Sequence, residues 1–160
     1  MLDLRKLSFG GTAALVTSMG LIVGLETSRA SRAAVIGSLL IVALADNLTD
    51  ALGVHIYQEA ERLPQREALR TTIGNFVTRL GATLSFVLIV AALPGAAVPV
   101  SLAWGFLLLG LLSALIARQR GVSPLSEILK HFAAAGVVMA VSKLIGAWVA
   151  GMAVMGGPAG

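Results

Sequence analysis

The sequence predicts an all-α integral membrane protein with five transmembrane helices, and three observations support this prediction. Of the 160 residues, 57% are hydrophobic and only 12% are charged, whereas a soluble domain has roughly a quarter charged residues. The mean hydropathy is +0.90. The apolar residues form five segments close to the ~20 residues that a membrane helix needs, and short breaks containing charge or proline separate them.

The five segments follow one another with short connections. The first is short and uncharged, and its Gly20 and Gly24 have a spacing that lets helices approach closely. The second continues into the polar sequence YQEAER, the third contains Arg79 and the fifth contains Lys143. Four prolines lie in or beside the breaks, where helices tolerate them: Pro64, Pro94, Pro99 and Pro124. We expect one transmembrane domain, 1–154, with spans at about 10–25, 33–56, 73–93, 98–117 and 129–154, and a disordered tail at 155–160.

The basic residues predict the orientation, because Lys and Arg concentrate in cytoplasmic loops. Eight of them fall in the N-terminal arm and in the loops after the second and fourth spans: Arg5, Lys6, Arg62, Arg66, Arg70, Arg118, Arg120 and Lys130. The other side has only Arg29 and Arg32. We therefore expect the N-terminus in the cytoplasm and the C-terminus outside. The net charge of +4 then reflects topology, with lipid and not nucleic acid as the partner, since only 5% of residues are aromatic.

Polar residues interrupt the second span in the sequence ADNLTDALG, residues 45–53. At 100° per residue one narrow face holds Asp46, Asp50, Gly53, Tyr57 and Glu61, with Asn47 beside it and His55 and Glu59 on the opposite side. A polar stripe at this depth faces a partner helix, a cavity or a pore and not lipid.

Two interpretations of the stripe are compatible with each other. In the first, Asp46, Asn47 and Asp50 bind a cation, because carboxylate and amide oxygens suit Mg²⁺, Mn²⁺, Ca²⁺ and, less selectively, Fe²⁺. One helix cannot complete the shell, but a two-fold homodimer could. In the second, bases at equal depth neutralise the acids. At about 1.5 Å per residue, Asp46 matches Lys143 and Asp50 matches Arg79.

Motifs of common enzymes are missing from the sequence. There is no cysteine, which removes disulfides and thiolate metal sites. We also find no Ser/His/Asp set, phosphate-binding loop, HExxH or CxxC. We expect neither an enzyme nor a resident cofactor.

Four segments resemble motifs of the vacuolar iron transporter (VIT) family. LADNLTDALGVHIYQEAER resembles its second helix, and three other segments are similar to further family motifs in the same order: GGTAALVTSMGLIVGL, GATLSFVLIVAALP and RQRGVSPLSEILKHFAAAGVVMAVSKLIG. The resemblance covers about residues 5–150. It implies a five-helix fold, a homodimer with the pathway at its interface, and export of Fe²⁺ or Mn²⁺ from the cytosol in exchange for protons.

The chain departs from the family at several pathway positions. The family's first-helix aspartate aligns with Ala13, its second-helix methionine with Asp50, and its second-helix glutamate with Val54. The cytoplasmic metal-binding insert is absent. Without the soft methionine ligand, Mn²⁺ or a broader divalent range becomes more favourable than Fe²⁺.

The resulting hypothesis is a proton-coupled divalent metal exporter in the bacterial cytoplasmic membrane. Asp46 and Asp50 would be ligands or proton carriers, Asn47 a neutral ligand and Glu61 a residue at the cytoplasmic entrance. Lys143 and Arg79 would be counter-charges that release the aspartates. The alternatives are a non-transporting membrane scaffold in which Asp–Lys and Asp–Arg pairs are permanent, and a transporter of another cation.

Overall fold

Five helices make up the part of the chain that the structure describes. The computed structural model describes residues 4–155, with side chains from residue 10 onward, and every element in that range is helical. The helices are α1 (Leu4–Thr27), α2 (Arg32–Ala60), α3 (Gln65–Ala92), α4 (Ala97–Arg120) and α5 (Pro124–Met155). All five are long and apolar enough to cross a membrane, which confirms the all-α, five-span prediction at that level.

The helices are longer than the predicted spans because polar residues at both ends of the bundle continue the helical backbone. α5 has 32 residues, which corresponds to about 48 Å at 1.5 Å per residue and exceeds the ~30 Å hydrocarbon layer. Met155 belongs to α5, and the rest of the predicted disordered tail, 156–160, lies outside the described residues.

Three of the four connections contain a residue in the left-handed region. Arg29, Arg62 and Gly121 have φ of 61°, 55° and 66°, and the backbone N–H of the residue after each reaches a carbonyl of the last helical turn. This arrangement satisfies carbonyls that the helix end leaves unpaired. Ser31 then starts α2, because its side chain accepts a hydrogen bond from the Ala34 N–H at 3.2 Å.

α1 is the central helix of the bundle. It packs against α3, α4, α5 and the first part of α2. Its buried side chains Leu15, Met19 and Ile22 join a single apolar core with residues of every other helix. α4 has a buried residue at every fourth position, and most of these residues are small: Ser101, Gly105, Leu109, Ser113 and Ala117. A row of small residues lets helix backbones approach closely.

The second half of α2, Asn47–Ala60, packs against α3. Its buried face contains Asn47, Ala51 and Gln58. The opposite face is apolar and exposed, and it continues one turn before Asn47, with Leu44, Leu48, Leu52 and Ile56 at four-residue intervals. This half of α2 therefore has one side that the rest of the described chain does not cover.

We predict that Gly146→Ala destabilises the bundle at the crossing of α1 and α5. A Cβ at Gly146 would overlap the Gly24 carbonyl oxygen and lie 2.9 Å from the Thr27 Cβ, and overpacking of this kind costs typically about 1–3 kcal/mol. Thermal unfolding in detergent should show a midpoint several degrees lower. Gly136→Ala on the same helix is the matched control, because a Cβ there meets nothing within 4 Å. Equal unfolding midpoints for Gly146→Ala and Gly136→Ala would contradict the close contact of α1 and α5 at Gly146.

Candidate functional site

Arg79 lies at the centre of a polar cluster between α2 and α3. Its Nε donates to Asn47 Oδ1 at 2.8 Å and its Nη2 to Asp46 Oδ2 at 3.1 Å. Its Nη1 lies 2.6 Å from Asp50 Oδ2. The arginine side chain is only 3% exposed. Each guanidinium nitrogen thus has an acceptor from one short stretch of α2, as a buried charge requires.

A π-helical turn at Val42–Asp46 orients Asn47 for this contact. The backbone N–H of Asn47 bonds the Val42 carbonyl, five residues back. The side-chain Nδ2 donates to the Ala43 carbonyl at 2.9 Å, four residues back. Because Nδ2 is fixed on the backbone, Oδ1 is held towards Arg79. Such turns are rare and occur frequently at functional sites.

The cluster carries a net negative charge. Two carboxylates face one guanidinium, which leaves one charge unbalanced. The Asp46 and Asp50 side chains are 52% and 43% exposed, so they lie at the open edge of α2 while Arg79 lies inside. Each aspartate contacts Arg79 through Oδ2, and the described side chains donate no hydrogen bond to either Oδ1. Asp46 is near the middle of the 29 residues of α2.

The structure agrees with one of the two expected ion pairs. The Asp50–Arg79 pair is present at 2.6 Å. The Asp46–Lys143 pair is absent, because Asp46 binds Arg79 as well. The sequence estimate assigned each acid its own base, whereas a guanidinium has several donors and can serve two carboxylates.

Lys143 lies far from the cluster, near the other end of α1. It lines a surface groove with Val23, Glu26 and Thr27, whereas Arg79 is next to Gly10 on α1. The separation along α1 is about 20 Å at 1.5 Å per residue. The sequence estimate measured the depth of Lys143 from the C-terminal end of α5. That end is a misleading reference because α5 crosses α1 at Gly146, beside Thr27, and continues beyond the crossing to Met155.

Glu61 is exposed and lies beyond the end of α2. It is roughly 16 Å along the helix from Asp50, so the structure does not bring it into the cluster. Glu59 instead approaches His55, with Oε1 3.4 Å from Nε2. The other ring nitrogen of His55 lies 3.4 Å from Thr72 Oγ1 on α3.

Sequence reasoning did not single out Asn75, which is 2% exposed. Neither its Nδ2 nor its Oδ1 has a hydrogen-bond partner. It lies one turn before Arg79 on the same face of α3, and both side chains are next to Gly10. The sequence contains one signal for Asn75: it precedes Arg79 by four residues in an apolar helix, which places the two side chains on the same face.

The described side chains of one chain do not form a complete metal shell. Among the residues whose side chains are described, no group of three or more His, Asp or Glu could hold a metal ion. No family model, curated protein or solved structure matches the chain. The resemblance to the VIT family therefore remains a prediction from the sequence.

We predict that Asn47→Leu destabilises the protein. The change leaves Arg79 Nε and the Ala43 carbonyl without the partners that Asn47 provides, and buried polar groups left unpaired cost about 1–3 kcal/mol each. The unfolding midpoint in detergent should fall by several degrees. Thr49→Val is the control, because Thr49 is exposed and bonds only its own helix, at the Ala45 carbonyl. A midpoint for Asn47→Leu equal to that of the control would show that these bonds do not stabilise the fold.

Proposed function

We propose that this chain is a transporter of divalent metal cations, Mn²⁺ or Fe²⁺, which exports them from the cytosol in exchange for protons. One observation carries the proposal: an unbalanced negative charge at the middle of α2, on carboxylates that are about half exposed. A lone carboxylate charge in the hydrocarbon layer is costly and normally marks an ion pathway or a pairing surface. A proton or a metal cation would neutralise it.

The oxygen atoms at the cluster suit hard and borderline cations. Neither Asp46 nor Asp50 accepts a hydrogen bond at Oδ1 from the described side chains, so a chain offers two carboxylate oxygens. Six or more oxygens are typical for such ions, and we infer that a second copy related by a two-fold axis supplies further carboxylates. The exposed apolar face of α2, with Leu44 and Leu48, would form part of that homodimer interface.

The structure favours a modified set of ligands over the one expected from sequence. Asn47 Oδ1 is already bonded to Arg79, so in this proposal Asn47 positions the guanidinium and does not bind metal. Glu61 stays at the entrance, remote from the cluster. Arg79 remains the counter-charge, while Lys143 has no role at the carboxylates.

The second candidate is a non-transporting membrane scaffold. It is favoured by Arg79, all three of whose nitrogen atoms bond one stretch of α2, as expected of a permanent link between α2 and α3. The unbalanced charge favours transport, since one carboxylate would balance the charge of a purely structural link and neutral acceptors such as the Asn47 amide could serve the other nitrogen atoms.

We also propose the bacterial cytoplasmic membrane, with the N-terminus and the connection at 61–64 in the cytoplasm, because basic residues concentrate at that end of the bundle.

Asp50→Asn should abolish metal flux but leave the protein folded. Arg79 keeps Asp46 and Asn47 as partners, while the cluster loses its net charge and one ligand. In proteoliposomes with a set pH gradient, Mn²⁺ or Fe²⁺ flux should fall at least about tenfold, the change that 1.4 kcal/mol produces. Glu59→Gln, which removes an exposed carboxylate outside the cluster, is the control. Absence of flux from well-folded wild type would support the scaffold, and wild-type flux from Asp50→Asn would exclude Asp50 as a ligand.

The orientation can be tested with single cysteines, because the chain has none of its own. We expect Gly95→Cys to react with an impermeant maleimide in right-side-out membrane vesicles. Gln65→Cys should react only after permeabilisation, since the proposal puts its end of the bundle inside. The opposite labelling pattern would reverse the orientation.

A further inference from the structure

We propose that Arg79 sets the charge capacity of the cation site at one positive charge per chain, so that two copies together hold one divalent ion. The inference rests on the proposed function and specifies its stoichiometry. The charges that carry it are those of three groups: Asp46, Asp50 and Arg79. No other Lys, Arg, Asp or Glu side chain has a described ion pair with these three.

Arg79 stays in the site when a cation binds. Its three contacts are made through three separate nitrogen atoms, and its side chain is 3% exposed. On the opposite side α1 is close, since a Cβ at Gly10 would lie 3.2 Å from Arg79 Cδ. The side chain is enclosed by its neighbours, and moving out would place the guanidinium in the hydrocarbon layer. It is always charged in proteins.

The carboxylates keep free oxygens although Arg79 stays. The contacts that Arg79 makes with the two aspartates run through Oδ2. The side chains lie at the uncovered edge of α2, being 52% and 43% exposed. A cation can therefore bind at the Oδ1 side without displacing the guanidinium. Two chains would contribute four such oxygens, and water would complete the shell.

Charge neutrality then decides what the site accepts. A charge within the hydrocarbon layer must be balanced by a partner at the same depth. With one negative charge per chain, two facing clusters are balanced by one divalent cation or by two protons. Without Arg79 the same carboxylates would need twice as much positive charge. The guanidinium thus determines stoichiometry without binding the metal.

Wild type, two single variants and their double variant separate the effect of net charge from the effect of the number of carboxylate ligands. Relative to wild type, Arg79→Gln adds one net negative charge and Asp50→Asn removes one. The double variant Asp50→Asn/Arg79→Gln has the same net charge as wild type. It also has the same carboxylates as Asp50→Asn, so those two forms differ only in the charge and shape of residue 79.

The measurement is Mn²⁺ binding to each form in lipid nanodiscs, with free Mn²⁺ read from its electron paramagnetic resonance signal. Charge balance predicts about one Mn²⁺ per two chains for wild type, about twice that for Arg79→Gln, and almost none for Asp50→Asn. The double variant should regain about one per two chains. Arg79→Lys, which keeps the charge, should match wild type. Gel filtration and unfolding midpoints establish that each form is folded.

The outcomes distinguish this inference from the proposed function. No Mn²⁺ binding by folded wild type would overturn both. Binding by wild type, with a double variant no better than Asp50→Asn, would leave the proposed function standing and overturn the role of Arg79. If Arg79→Gln bound the same number of Mn²⁺ ions per chain as wild type, the role of Arg79 would likewise be overturned while the proposed function would stand. If Arg79→Gln alone does not fold, the double variant still decides, because it loses a carboxylate together with the guanidinium.

Discussion

A guanidinium enclosed between apolar helices must find an acceptor for each of its nitrogen atoms, and Arg79 imposes this requirement on α2 and α3. Leaving such a charge unpaired would cost several kcal/mol. The acceptors come from Asp46, Asn47 and Asp50, which lie within one turn or so of α2. Because they must all reach one side chain of α3, the register between the two helices is fixed there.

The π-helical turn at Val42–Asp46 serves the same requirement. The turn shifts the Asn47 backbone N–H to the Val42 carbonyl, and the Asn47 side chain takes over the Ala43 carbonyl. The polar seam then continues along the two helices to the His55–Thr72 contact. The second half of α2 and the first half of α3 form an antiparallel pair that is polar inside and apolar outside, next to a bundle built around α1.

That arrangement leaves the aspartates at an edge. Asn47 and Arg79 are buried, while Asp46 and Asp50 are about half exposed beside the uncovered apolar face of α2. A scaffold and a transporter differ in what meets this edge: lipid in a scaffold, or a cation and a second copy in a transporter. The unbalanced charge is the physical reason to prefer the second.

The sequence by itself determined the five helices, since hydrophobicity and length are local properties, and it determined that charges in those helices need partners. It also identified the Asp50–Arg79 pair, because a short connection joins α2 to α3 and gives both helices a common reference for depth. Only the tertiary structure decided that Asp46 shares Arg79 and that Lys143 lies about 20 Å away. Two facts that no local pattern contains are responsible: α5 extends past the end of α1, and one guanidinium can bind two carboxylates and an amide.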